Sequence, residues 1–149
     1  MNELALATQF IIDGLNDNPL VHTISFEKTS DIDLNKSNIY PLANVDIIDS
    51  NMIEDLIYIN YTITILNDRN IEKELNNKKI YSSNLIDNLN ECHSIAVRFV
   101  NHIKSNANNK NDIEIFSMTN IQMLKFTETN ILDGVRFTIQ LEIPNNSPC

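Results

Sequence analysis

From Ile57 to Ile65 the chain alternates without a break. Ile57, Ile59, Tyr61, Ile63 and Ile65 fall on one side, and Tyr58, Asn60, Thr62 and Thr64 on the other. Successive side chains of a strand point to opposite faces. Such an alternation demands a sheet with one buried face and one wetter face, and the buried face must be covered by another layer.

The pattern returns near the C-terminus, where Val135, Phe137, Ile139, Leu141 and Ile143 alternate with Arg136, Thr138, Gln140 and Glu142. Asp133-Gly134 introduces that strand and Pro144 ends it. A further strand opens at Pro41, where a missing N–H costs least, and continues with Ala43, Val45 and Ile47. Asp49-Ser50-Asn51 predicts a turn, and the short connection predicts an antiparallel hairpin with the strand that follows. Val21–Phe26, Asp112–Phe116 and Ile121–Thr127 are shorter strand candidates.

The covering layer is supplied by helices. Leu85, Leu89, Cys92, Ala96, Phe99 and Ile103 recur at spacings of three and four, widened by Ile86 and Ile95, with Ser82 or Ser83 as N-cap candidates. Asn2–Leu15 predicts a first helix on Leu4, Ala7, Ile11 and Leu15, with Gly14 and Asn16 as stop signals. The expected fold is α+β: an antiparallel or mixed sheet of about five strands with two helices packed on one face. The length of 149 residues fits a single domain, 1–149. Two polar excursions, 27–42 and 67–81, and a polar tail, 144–149, lie outside the core pattern.

Composition narrows the function classes. Two glycines in the whole chain leave little for a phosphate-cradling loop. A net charge of −9 disfavours a nucleic-acid grip, which needs clustered Lys and Arg. No stretch approaches the length of a membrane span, so no membrane partner is expected. The N-terminal helix lacks the basic start of a secretory signal. Cys92 lies on the helical stripe and Cys149 ends the chain, which reads as reduced thiols in a cytoplasmic setting.

Candidate chemistry is sparse, and no catalytic, cofactor-binding or metal-ligating residue is expected. His93 and His102 fall on opposite sides of the main helix, so that helix cannot bring both to one metal. Cys92 and His93 are adjacent on a helix and do not face each other. Asp31, Asp33 and Asn35 alternate as in a calcium loop, yet the glycine is missing and Leu42 stands where the closing Glu belongs. Asp46, Asp49, Glu54 and Asp55 cluster around the hairpin turn, either as an electronegative rim or as an ordinary solvated turn. Lys73, Lys78 and Lys79 form a modest basic group able to pair with an acidic neighbour across an interface.

The stretch Val21-His-Thr-Ile-Ser-Phe26, Asp31-Ile-Asp-Leu-Asn-Lys36 and Ile39-Tyr-Pro-Leu-Ala43, followed by the hairpin, the main helix and the closing strand, resembles small neck and tail-completion proteins of tailed bacteriophages, including marine and crAss-like phages. The resemblance implies a tail-terminator-like fold and a non-enzymatic virion protein made in the bacterial host cytoplasm. It further implies a homo-oligomeric ring of six or twelve copies in the head-to-tail connector or tail. Such a ring contacts portal, adaptor or tail ring proteins, and DNA passes through without sequence-specific binding. The interface segments it implies are Asp31–Leu42 and Asn67–Tyr81. They carry Asp31, Asp33, Leu34, Asn35, Lys36, Ile39, Tyr40 and Pro41, and Lys73, Lys78 and Lys79. The competing readings are a small cytoplasmic adaptor domain unrelated to phage and, with less support, a small hydrolase.

Overall fold

The computed structural model describes residues 2–26, 40–68, 85–105, 112–125 and 132–145. Among the described residues, two helices and six strands build an α+β fold. In chain order these are α1 (Glu3–Asn16), β1 (Thr23–Ser25), β2 (Leu42–Ile53), β3 (Leu56–Asp68), α2 (Leu85–Lys104), β4 (Glu114–Met118), β5 (Gln122–Lys125) and β6 (Leu132–Pro144). The sheet runs β1-β2-β3-β6-β4, with β5 also on β6. It is mixed, because β1 pairs parallel to β2 while every other pair is antiparallel.

The expected alternation holds from Ile59 to Ile63 of β3 and from Val135 to Ile143 of β6, whereas Ile63–Leu66 and Leu132–Val135 are buried on both faces. Ile59, Tyr61, Ile63 and Ile65 are buried, as are Val135, Phe137, Ile139, Leu141 and Ile143, and all join one core with both helices. The strands are paired over their full lengths, from Leu56↔Pro144 to Asp68↔Leu132. Each large side chain buried there contributes about 1.5–3 kcal/mol. Gly134 lies inside β6, where an added Cβ would overlap the carbonyl oxygen of Ile65.

The helices cover that core through small residues as well as large ones. Asn2 caps α1 by accepting from the Ala5 N–H at 2.9 Å. Ala7, Ile11 and Leu15 are buried, whereas Leu4 is exposed. Gly14 does not stop the helix as expected. It is buried within α1, and an added Cβ there would come 3.0 Å from the ring of Phe99. The close approach of the two helices is what requires glycine. On α2, Cys92, Ile95, Ala96, Phe99, Val100 and Ile103 face the sheet, while Ile86 is exposed. Ser82 and Ser83 lie outside the described residues.

Two expectations about β2 need correction. Asp49-Ser50-Asn51 is not a turn: β2 continues to Ile53, paired with β3 up to Ile53↔Leu56. The turn is the Glu54-Asp55 pair, with Glu54 at φ 54°, the left-handed conformation that tight hairpins use. The face away from the helices is also not uniformly wet. Leu42, Leu66 and Leu132 form a second small buried cluster there, with Tyr40 packed against it. Asn67 and Asp68, assigned to a polar excursion from the sequence, belong to β3.

Candidate assembly surface

Beyond Val45, β2 leaves the shelter of the helices. Leu42–Val45 is buried, but every residue from Asp46 to Asp55 is exposed. A bulge between Ile47 and Asp49 separates the two halves of the strand, adding local twist where the core ends. The far half holds its shape through the ladder to β3 and a few local bonds. The Asn60 amide donates to the Asp49 carboxylate, and the Asn145 N–H donates to the Asp55 carbonyl at 2.7 Å.

This hairpin end is both apolar and acidic. Ile48, Met52 and Ile53 are each more than half exposed. Asp46, Asp49, Glu54 and Asp55 stand among them, all exposed. On the face away from the helices, Tyr58 meets Phe116 of β4 edge-on, with ring centroids 4.9 Å apart. Phe116 is itself 58 % exposed. Exposed apolar side chains rimmed by polar residues are a feature of contact surfaces.

The centre of the same face is polar. Thr62 and Thr138 share a hydrogen bond at 3.1 Å across β3 and β6, and Arg136 Nε donates to Thr64 Oγ1 at 3.1 Å. These cross-strand pairs stiffen the sheet behind the hairpin.

Of the interface residues named from the sequence, Asp31, Asp33, Leu34, Asn35, Lys36, Ile39, Lys73, Lys78 and Lys79 lie outside the described residues. Tyr40 and Pro41 are packed against the body of the chain. Pro41 is buried, its carbonyl accepts from the His22 N–H at 3.0 Å, and Tyr40 packs on the second cluster. These two residues dock the start of β2 and tie β1 beside it.

The histidines and Cys92 are dispersed. His102 Nδ1 lies 3.3 Å from Asp17, joining the ends of the two helices. Cys92 is fully buried, its thiol directed at the Asp133 carbonyl at 3.8 Å, and burial pushes its pKa up to about 12. Among the described residues no three His, Cys, Asp or Glu side chains come together to hold a metal ion, and no helix is long and apolar enough to cross a membrane.

Neither a family model nor a curated protein sequence matches the chain. The turn composition of Asp49-Ser50-Asn51 masks the exposed hairpin end in the sequence. Its signal was there: the doublets Ile47-Ile48 and Met52-Ile53 place apolar residues on both faces at once.

Proposed function

We propose that this chain is a structural subunit that assembles into a ring in the head-to-tail connector or tail of a tailed phage, with DNA passing through the lumen. The observation that carries this reading is the β2–β3 hairpin end, which projects past the helix layer with Ile48, Met52 and Ile53 exposed. A rigid two-layer body with an apolar projection at one end suits a protein that works by contact. In a closed ring each subunit is held by two neighbours, so no single interface needs to be large. The acidic balance of −9 suits a passage through which phosphate slides without sticking. Subunit number, six or twelve copies, and the portal, adaptor or tail ring that it meets follow from the resemblance and form part of the proposal.

The test is the position of the protein in the particle. Flanking portal, capsid and tail genes, with a cryo-EM map placing the chain in the neck or tail, are the expected results. Metabolic gene neighbours, or purified particles without the protein, would sink the reading. A ring whose lumen is lined by Lys and Arg would remove the sliding argument.

A further inference from the structure

We draw no further inference here: the strongest candidate, the exposed apolar patch of Ile48, Met52 and Ile53 at the β2–β3 hairpin end, belongs to the surface already described, and nothing in the structure shows what covers it.

Discussion

The side-chain amide of Asn88 donates to a carboxylate oxygen of Asp133 at 3.3 Å, and both residues are buried. The same amide donates to the Asp68 carbonyl at 2.8 Å. One polar side chain of α2 thus ties together the end of β3 and the start of β6. Replacing it with an apolar residue removes one donor from a buried carboxylate and one from the Asp68 carbonyl. Asn88→Leu should cost about 2–4 kcal/mol, measured by urea denaturation. A loss under about 0.5 kcal/mol would show that Asp133 has enough other partners.

Gly134 is required by backbone proximity. A Cβ at this position would overlap the Ile65 carbonyl oxygen. The two central strands must then separate where Leu66 pairs with Gly134. Gly134→Ala should destabilise the domain by about 3 kcal/mol or more, visible as a drop in Tm or loss of soluble protein. Gly14→Ala should cost less, because the obstacle is the ring of Phe99, which can shift.

Cys92 makes a pH prediction. Its native pKa is raised from 9.0 to about 12, first by burial and then by the charges of Glu91 and Asp133. Above pH 9 the unfolded thiol releases its proton while the native thiol keeps it. Stability therefore falls as pH rises through that window, by about 1.4 kcal/mol per pH unit from this group. In a Cys149→Ser background, native protein at pH 8 should resist maleimide and label only on unfolding. Rapid labelling of folded protein would contradict the buried position.

Ile48, Met52 and Ile53 should be dispensable for folding. Each is more than half exposed, and exposed substitutions of this kind shift stability by about 0.5 kcal/mol or less. The Ile48→Lys, Met52→Lys double variant should melt like the parent chain yet assemble poorly. A melting temperature that falls with unchanged assembly would assign these residues to the fold instead.

The sheet centre is legible in the sequence because Ile57–Thr64 of β3 and Val135–Ile143 of β6 alternate apolar with polar or aromatic residues. The far half of β2 is not. Asp49-Ser50-Asn51 has turn propensity, but the ladder from Asp49↔Asn60 to Ile53↔Leu56 holds it extended. Gly14 was read as a helix stop because its fit against Phe99 is a tertiary fact. Asn88 was invisible for the same reason, since a polar residue on an apolar stripe shows its partners only once the chain has folded. Leu42 and Leu66 carry a second small cluster on the face expected to be wet. That cluster depends on Tyr40 being brought back over the sheet, which no local pattern announces.

The most direct test of the proposed assembly is the mass of the protein in solution, by size exclusion with light scattering, alone and with the portal or adaptor ring of the phage particle that the proposal assigns it to. A species of six or twelve copies, or a stable complex with the partner ring, is predicted. A monomer of 17.1 kDa at every concentration, with no binding to either ring, would contradict it.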